Sequence, residues 1–386
     1  MKISRKEFLE KTGGAAAGVL LSSIAADAGQ RPEKKVKVAV IGCGSVSNMY
    51  LPHLSRSSHV ALVSTCDVRY DRAKAQASRY GIVHHYPHID EMLAGAQFDL
   101  MVNLTDMQEH GRLNRLALLA GKDIWSEKPI ANTYAEGKAL LELAKERQLR
   151  IWGAPAVVNS PQFAFMSKTI QEGKLGKVAA AHAHYGHLGP DWSSFFYEKG
   201  GGSLPDLGVY NIATLTGLLG PARSVMAMTK ILTGERKIVD KGIVQVEAED
   251  NSMILMDHGN GTLSHIQCGF NYFDPYGHEG EGQEKPTISI WGTAGNMSLI
   301  GYDWAPFGVD LATTANEKTS RFARDPGKYV WQEGASVVAD SLVKQIEPLI
   351  TAEHALHVLE VIEAARESGR SGGRIDVASR FKYPVV

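Results

Sequence analysis

Cysteine is scarce in this chain, which has three in 386 residues, and neither sign of charge is in excess. Three cysteines are too few for the disulfide framework of a small secreted domain, so we expect buried, unpaired thiols. Lysine plus arginine number 41 and aspartate plus glutamate 42, which leaves no basic surface to suggest a nucleic-acid partner. Beyond residue 28 no apolar run reaches the roughly 18 residues of a membrane span. We therefore predict a small-molecule ligand, no nucleic-acid partner and no membrane span in the mature chain.

The first 28 residues have the order of features that is typical of an export signal. Lys2, Arg5 and Lys6 precede an apolar stretch over 15–26, and a small-x-small cleavage pattern ends at Ala28. The segment around Arg5 resembles the twin-arginine export motif with lysine as its second basic residue. An ordinary Sec signal or an N-terminal anchor is the alternative. The sequence predicts an exported, periplasmic protein that is cleaved after Ala28.

A buried-strand pattern runs directly into a glycine-rich loop near the start of the mature chain. Val36–Ile41 is apolar at every position but one, and Gly42-x-Gly44-x-x-Ser47 follows it. A loop of this kind at the start of a helix directs backbone N–H groups at a pyrophosphate, and Gly42 permits the tight turn that this requires. The predicted cofactor contacts in the loop are Gly42, Cys43, Gly44, Ser45, Val46 and Ser47.

An acidic residue ends the second predicted strand. Val60–Cys66 is a strand pattern, and Asp67 follows it about 20 residues after the glycines, where a carboxylate accepts hydrogen bonds from the adenosine ribose. Because a carboxylate repels a 2′-phosphate, Asp67 favours NAD, with NADP as the alternative. Arg69 is a candidate to stack on the adenine. The strand, the spacing and the acid together predict a nucleotide-binding domain.

Strands alternate with amphipathic helices in the first part of the chain, and the pattern changes after residue 177. The alternation predicts a doubly wound parallel sheet, and Thr133-x-x-Glu136 is a capping box that opens one of its helices. The predicted strands of this sheet are 36–41, 60–66, 99–104, 123–125 and 150–152. Later strands are joined by tight-turn signals, which favour antiparallel pairing. They are predicted at 178–186, 224–231, 252–257, 262–270 and 287–291.

The predicted fold class is therefore α/β. An N-terminal Rossmann domain with a doubly wound parallel sheet is predicted over 35–153, and a C-terminal α+β domain with a large, mostly antiparallel open sheet over 154–386. The second domain would bind substrate and make oligomer contacts. A late helix is predicted over 351–368, with Gly369 as its C-cap.

Two further motifs resemble those of a known family. Ser-Glu127-Lys128-Pro closes the strand at 123–125, and ligands of an open parallel sheet lie beyond the carboxyl ends of its strands, so Lys128 is predicted at the nicotinamide end. Together with Thr105, His110 and the glycine-rich segment 200–210, this is similar to the glucose-fructose oxidoreductase, inositol dehydrogenase and rhizopine-catabolism (Gfo/Idh/MocA) family. The resemblance covers the chain from about residue 36 onward.

The resemblance implies an NAD(P)-dependent enzyme that oxidises or reduces sugars and cyclitols, with Lys128 beside the reacting hydroxyl. The family motif Asp-x-Gly-x-His appears here as Asp206-Leu-Gly-Val-Tyr210, and the exported glucose-fructose oxidoreductase branch similarly has tyrosine there. Lys128 is then the proton acceptor or electrostatic anchor, Asp206 the orienting carboxylate and Tyr210 the acid/base partner, its pKa lowered by the neighbouring ammonium. Packing alone is the alternative role for Tyr210. The implied cofactor contacts are Thr105, His110, Glu127 and Lys128.

Polar and aromatic residues after the strand at 178–186 form a candidate substrate loop beside a predicted glycine hinge at 200–202, with interface packing as the alternative. The candidate substrate contacts are His187, Asp191, Trp192, Tyr197, Asp206 and Tyr210. His182 and His184 share a strand face, but no acidic residue lies at ligand spacing in that strand, so no metal site is predicted.

These observations predict an exported oxidoreductase that moves a hydride to or from a secondary hydroxyl of a sugar, glycoside or cyclitol. Free NAD is scarce outside the cytoplasm, so we expect a tightly bound cofactor that is recycled between two substrates. One alternative is a redox glycoside hydrolase or lyase that acts through a transient 3-keto sugar. A second is a non-catalytic sugar-binding protein. The resemblance also implies a homodimer or homotetramer formed through the C-terminal sheet.

Overall fold

Two sheets form the framework of the described chain. The computed structural model describes residues 34–239, 241–274, 284–323 and 330–385, so the predicted export signal at 1–28 lies outside the described residues. A six-stranded sheet occupies the first part of the chain and a nine-stranded sheet the second. The predicted α/β fold class, a Rossmann domain followed by an α+β domain, is confirmed.

The first sheet is parallel throughout and has the strand order β3-β2-β1-β4-β5-β6. Its strands are β1 (Val36–Ile41), β2 (Val60–Cys66), β3 (His84–Tyr86), β4 (Leu100–Asn103), β5 (Asp123–Ser126) and β6 (Ile151–Gly153). Its helices are α1 (Ser47–Arg56), α2 (Tyr70–Tyr80), α3 (Ile89–Ala94), α4 (His110–Leu119) and α5 (Tyr134–Glu146). The predicted N-cap is confirmed, since the Thr133 side chain accepts the Glu136 N–H, but the Glu136 carboxylate accepts the N–H of Asn132, at 2.9 Å, where a full capping box has that of Thr133. The strand order reverses between β1 and β4, which places a ligand crevice at their carboxyl ends.

The second sheet has the order β16-β15-β14-β13-β7-β12-β11-β8-β17, and its described pairs are antiparallel except for β7 with β12. A separate two-stranded ribbon pairs β9 with β10. The strands are β7 (Val178–Gly186), β8 (Ser224–Lys230), β9 (Glu235–Ile238), β10 (Gly242–Gln245), β11 (Asn251–Asp257), β12 (Leu263–Gly269), β13 (Pro286–Gly292), β14 (Gly295–Tyr302), β15 (Ala305–Thr313), β16 (Asn316–Ala323) and β17 (Ile375–Asp376). The helices of this part are α6 (Pro161–Gln171), α7 (Val209–Leu219), α8 (Gly334–Lys344) and α9 (Ala352–Ser371).

Side chains alternate between two faces of the second sheet, as the strand period requires. Ile254 and Met256 of β11 are buried on the face that helps to form the core, whereas Met253 and Leu255 of the same strand are exposed. The exposed side, here called the open face, carries large apolar residues on four of the five consecutive strands β13, β7, β12, β11 and β8. They are Met226, Met228, Met253, Leu255, Leu263 and Trp291.

The long helix α9 packs against the first sheet and its helices through its N-terminal half. A Cβ added to Gly153 of β6 would lie 3.0 Å from the Ala355 Cβ, and one added to Gly137 of α5 would lie 2.8 Å from Leu356 Cδ1. Glu363 also accepts the backbone N–H of Tyr134 at the start of α5, at 2.8 Å.

The C-terminal half of α9 packs against β8 of the second sheet. A Cβ added to Gly369 would lie 3.0 Å from the Thr229 backbone nitrogen, so glycine is needed there for the close approach of helix and strand. The predicted C-cap at Gly369 is therefore wrong. The helix continues to Ser371 and ends at Gly372, which has a φ of 75°.

None of the helices in the described ranges is long and apolar enough to cross a membrane.

Candidate active site

The glycine loop joins β1 to α1 in a tight turn that only glycine can make. Gly42 has a φ of 87°, and a Cβ there would lie 2.5 Å from the carbonyl carbon of Leu104, just beyond β4. Ser47 is fully buried, and its hydroxyl donates to the Gly44 carbonyl at 2.6 Å. Ser47 therefore stabilises the loop through this hydrogen bond and does not line the crevice. Burial raises the pKa of the Cys43 thiol to about 12, so this side chain is a neutral packing group.

Asp67 is anchored at the carboxyl end of β2. One carboxylate oxygen accepts the Cys43 N–H at 2.8 Å and the other accepts the Arg69 N–H at 2.7 Å. These bonds fix the carboxylate on the wall of a cavity of about 920 Å³ that runs along the glycine loop. The predicted cofactor residues on this wall are Gly42, Gly44, Ser45, Val46, Asp67, Arg69 and Thr105. The side chains of this wall and the start of α1 suit a dinucleotide, which supplies a hydride acceptor when it is bound.

Residues of the second domain form the opposite wall of this cavity. Trp192, Ser194 and Phe195 line it together with Ile238 and Lys241 from the β9–β10 ribbon. Two contacts hold this segment in place. The Gln108 amide donates to the Phe195 carbonyl at 2.8 Å, and the Lys241 ammonium donates to the Ser194 hydroxyl at 2.5 Å. The segment 191–199 is thus held both to the nucleotide domain and to the ribbon, and its residues 192–195 line the cofactor cavity.

A second cavity, of about 410 Å³, adjoins the first. Thr105, Trp192 and Phe195 belong to the walls of both. The predicted residues on the wall of the smaller cavity are Val46, Thr105, His110, Glu127, Lys128, His187, Asp191, Trp192, Asp206 and Tyr210. Chain segments that are far apart in the sequence therefore meet where the two cavities join.

Lys128, Asp206 and Tyr210 lie together in the smaller cavity. The Lys128 ammonium donates to the Asp206 carboxylate at 2.8 Å and to the Asp206 backbone carbonyl at 2.7 Å. It also lies over the Tyr210 ring, 5.1 Å from the centroid. Asp206 belongs to a π-helical turn, Leu204–Gly208, that leads into α7. The ammonium uses two of its three N–H groups on Asp206, which leaves one for a ligand oxygen.

The environment of Tyr210 differs from the predicted one. Burial raises the pKa of Tyr210 well above its ordinary value, and the negative charges of Glu127 and Asp206 raise it further. The predicted lowering of this pKa is wrong, because the charge of Lys128 is balanced by Asp206 and the phenol is shielded from water. Tyr210 is therefore a neutral phenol at neutral pH, able to donate a hydrogen bond.

Glu127 and His110 hold the backbone around Lys128. The Glu127 carboxylate accepts the Tyr50 hydroxyl at 2.6 Å and the Lys128 backbone N–H at 2.9 Å. The two ring nitrogens of His110 lie 2.7 Å from the Pro129 carbonyl oxygen and 3.0 Å from that of Thr105. Burial lowers the pKa of His110, and a neutral ring, which carries a single N–H, would donate to only one of these two carbonyls.

The candidate substrate loop divides between the cavity and the core. His187 lies on the cavity wall, and its Nδ1 accepts the Gly189 N–H at 2.9 Å, so a neutral ring carries its proton on Nε2 and can only donate. Tyr197 does not line the cavity, and its predicted substrate role is wrong. It is 1% exposed, its hydroxyl donates to the Pro190 carbonyl at 2.7 Å, and its ring packs against Phe270.

Trp331 is a wall residue that the sequence analysis missed. It lies in a short 3-10 turn before α8, and its ring centroid is 6.5 Å from that of Tyr210 and 6.3 Å from that of Tyr50. Phe195 and Phe196 add two further aromatic walls. No spacing pattern links Trp331 to the motifs, because only the fold brings it back to the nucleotide domain.

The paired histidines of β7 lie on the open face, away from both cavities. The Nδ1 atom of His182 is 2.8 Å from the Nδ1 atom of His265, and the His184 ring stacks 5.8 Å from the His182 ring. Within the described ranges, no three histidine, cysteine, aspartate or glutamate side chains are arranged to hold a metal ion.

Two family profiles match the chain. A profile described as an oxidoreductase family with an NAD-binding Rossmann fold matches residues 36–154, which include the glycine loop and Lys128. A profile described as the GFO/IDH/MocA C-terminal domain matches residues 163–298, which include Asp206 and Tyr210. The predicted NAD-binding Rossmann domain is confirmed.

Several dehydrogenases are similar to this chain along most of its length. The scyllo-inositol 2-dehydrogenase (NADP(+)) of Bacillus subtilis is 24% identical over 89% of this chain and 96% of its own. The D-apiose dehydrogenase of Paraburkholderia graminis is 23% identical over 90% of this chain and 91% of its own. The solved structure of a levoglucosan dehydrogenase in complex with NADH is 18% identical and has a TM-score of 0.77 over 90% of this chain and 100% of that one. With both domains matched, the chain belongs to the Gfo/Idh/MocA family of NAD-binding oxidoreductases.

Proposed function

We propose that this protein transfers a hydride between NAD and a secondary hydroxyl of a sugar, glycoside or cyclitol. The observation that carries the proposal is the Lys128–Asp206 pair in the smaller cavity, which adjoins the cofactor cavity. The free N–H of the Lys128 ammonium is suited to hold the oxygen of a substrate hydroxyl, and the aromatic walls are suited to pack against the apolar face of a sugar ring. Relatives that act on inositol and apiose agree with this substrate class.

The pair also gives the hydroxyl proton a destination. Lys128 first passes one ammonium proton to the Asp206 carboxylate, which lies 2.8 Å away, and the lone pair of the resulting amine then accepts the proton of the substrate hydroxyl. Tyr210 donates a hydrogen bond from its neutral phenol to a neighbouring substrate oxygen. His187 lies on the wall of the same cavity and is suited to contact the substrate.

We further propose that NAD stays bound and is recycled between two substrates, and the held segment on the wall of the cofactor cavity supports this second part. The contacts with Gln108 and Lys241 hold this segment beside the bound cofactor and would slow its release. Mass spectrometry of nucleotide released from the purified protein, followed by a sugar and glycoside screen at the reduced-nicotinamide absorbance, tests this. A net absorbance gain indicates a dissociable dehydrogenase, and oxidised and reduced sugar products without a gain indicate recycling.

The same screen separates the alternatives. A cleaved glycoside without net cofactor reduction would indicate the redox hydrolase or lyase, in which transient oxidation at C3 acidifies the C2 proton and allows elimination. Sugar binding without any turnover across the panel would indicate a binding protein and would overturn the enzymatic proposal.

The Asp67 carboxylate is expected to set the cofactor preference. We expect tighter binding of NAD than of NADP, and the Asp67→Ser variant should narrow or reverse this preference by removing a repulsion of about 1 to 3 kcal/mol at a 2′-phosphate. Isothermal titration of both nucleotides into both proteins measures the change. NADP preference in the unchanged protein would refute the assignment. Asp90→Ser, another acid on the cavity wall, is the matched control.

Two further proposals concern the whole protein. The open face, with six large apolar side chains, is suited to contact other copies of the chain in a homodimer or homotetramer, and a monomeric mass in analytical ultracentrifugation would exclude this.

The order of charged, apolar and small residues over 1–28 supports export. Recovery of uncleaved protein from the cytoplasm of the native host would reject that proposal.

A further inference from the structure

Two of the three glycines at 200–202, Gly201 and Gly202, lie in a crowded corner rather than in the predicted hinge. Gly202 has a φ of 108°, and a Cβ added there would lie 2.4 Å from the Glu249 Oε1 atom. A Cβ added to Gly201 would lie 2.4 Å from the Phe195 carbonyl oxygen. The Gly202 N–H also donates to the Phe196 carbonyl at 2.7 Å. Glycine is needed here because the backbone is packed around a carboxylate, which leaves the segment little freedom to swing.

The carboxylate in this corner is paired with an arginine from α9. The Arg366 Nε donates to Glu249 Oε2 at 3.1 Å and its Nη2 donates to Glu249 Oε1 at 3.0 Å, a bidentate pair. The same Nη2 donates to the Gly201 carbonyl. The Glu249 side chain is only 10% exposed, so water competes little for these bonds. Neither residue lines either cavity.

The pair is linked directly to the turn that carries Asp206. The Glu249 Oε1 atom accepts the Leu204 N–H at 3.3 Å, and the Glu249 backbone carbonyl accepts the Ser203 N–H at 2.8 Å. Leu204 is the first residue of the π-helical turn, and such turns are frequent at functional sites. Because both Lys128 contacts come from Asp206, two residues further on, a shift of this turn would change both of them.

We propose that Glu249 and Arg366 form a positioning pair that holds Asp206 against Lys128. The role of this pair in catalysis rests on the proposed function, whereas its effect on the contacts of the Lys128 ammonium does not. The pair acts on the turn through Ser203 and Leu204, and it fixes the glycine corner through Gly201. Its loss should free the Lys128 ammonium without disturbing the nucleotide contacts at the glycine loop and Asp67, which lie in the first domain.

Chemical labelling of Lys128 tests the proposal without a substrate. The unchanged protein and the variants Glu249→Gln, Arg366→Lys and Asp206→Asn are treated briefly with acetic anhydride, and acetylation of Lys128 is measured by peptide mass spectrometry relative to the exposed Lys138. Asp206→Asn gives the rate for a freed lysine. We expect both positioning variants to raise the Lys128 rate about threefold or more, toward that limit, because a charge-assisted hydrogen bond is weakened. NAD affinity by titration calorimetry should stay within about twofold.

A second bidentate pair provides the control. Arg321 binds Asp310 through Nε and Nη2 on the outer strands β15 and β16, so Arg321→Lys removes the same kind of contact far along the sheet from the turn. It should leave the Lys128 rate unchanged. Gly202→Ala should behave like Glu249→Gln, and it replaces that variant if Glu249→Gln does not fold. The proposal would be overturned if Lys128 were acetylated at the native rate in Arg366→Lys and also in Glu249→Gln or its replacement Gly202→Ala. It would also be overturned if Asp206→Asn did not raise the acetylation rate of Lys128. A missing sugar activity would instead affect only the proposed function.

Discussion

Replacing Lys128 by alanine is expected to lower turnover by roughly two to four orders of magnitude, the range for a general acid/base group. The variant loses both the N–H that holds the hydroxyl and the route for its proton to Asp206, which lies 2.8 Å away. NAD affinity should change little, because Gly42 and Asp67 line the other cavity. Single-turnover kinetics on a sugar found in the screen, with nucleotide affinity by calorimetry, measure both. Native turnover in Lys128→Ala would exclude Lys128 from the chemistry.

The Tyr210→Phe variant is the matched test of the neighbouring phenol. It keeps the ring beneath the Lys128 ammonium and removes only the hydroxyl, so the melting temperature should stay close to native while turnover falls by roughly tenfold to a hundredfold. Since burial raises the pKa of Tyr210 well above its ordinary value, the loss should be constant between about pH 7 and 10. A loss that appears only at alkaline pH would show that the phenolate is the active form, and unchanged turnover would leave Tyr210 with packing alone.

Acidification from pH 6.5 to 4.5 is expected to lower the free energy of unfolding by roughly 2 to 5 kcal/mol through His354 and His357 of α9. Burial lowers the pKa of His354 to about 4 and that of His357 to about 3, from 6.5. The unfolded chain therefore binds protons first as the pH falls, so the stability present above pH 6.5 is lost on the way down. His357 Nε2 accepts the Ala222 N–H at 3.0 Å, which protonation would prevent.

Urea unfolding of the native protein and of a His354→Gln/His357→Gln variant at the two pH values measures this effect. The double variant should show a smaller pH dependence, by the stated amount. Asp303, whose pKa is raised to about 6 by burial, acts in the opposite direction, but it is present in both proteins and cancels in the comparison. Equal pH dependence of the two proteins would contradict the assignment to these histidines.

The features that could be predicted from the sequence are those set by local patterns. A strand buried on both faces is apolar at nearly every position, so β1 and β2 were predicted with their observed bounds. The carboxyl ends of parallel strands share one edge, so Asp67 and Lys128 could be placed on one crevice. By contrast, β3 has only three residues, His-His-Tyr, at the sheet edge and shows no apolar alternation.

The features that could not be predicted depend on distant parts of the chain. An aromatic residue in a loop has the same local sequence whether it faces a cavity, as Trp192 does, or the core, as Tyr197 does. The direction of the Tyr210 pKa shift depends on burial by neighbours from several segments. Glycine is the residue type that commonly ends a helix, so the sequence around Gly369 predicts a helix end. Only the close approach of Gly369 to Thr229 explains a glycine within α9.

The position of α9 between the two sheets has a consequence for how the chain is made. Ribosomal synthesis delivers α5, β6 and β8 long before residues 352–371, so their partner surface is missing while most of the chain is already outside the ribosome. Contacts between residues far apart in the sequence cost conformational entropy, and this cost is offset only when α9 packs against the rest of the chain. We therefore expect the docking of α9 to be a slow and cooperative step. A nascent chain that stops before residue 352 should therefore stay sensitive to protease in its nucleotide-binding half, and completion of the C-terminal helix should protect both halves together.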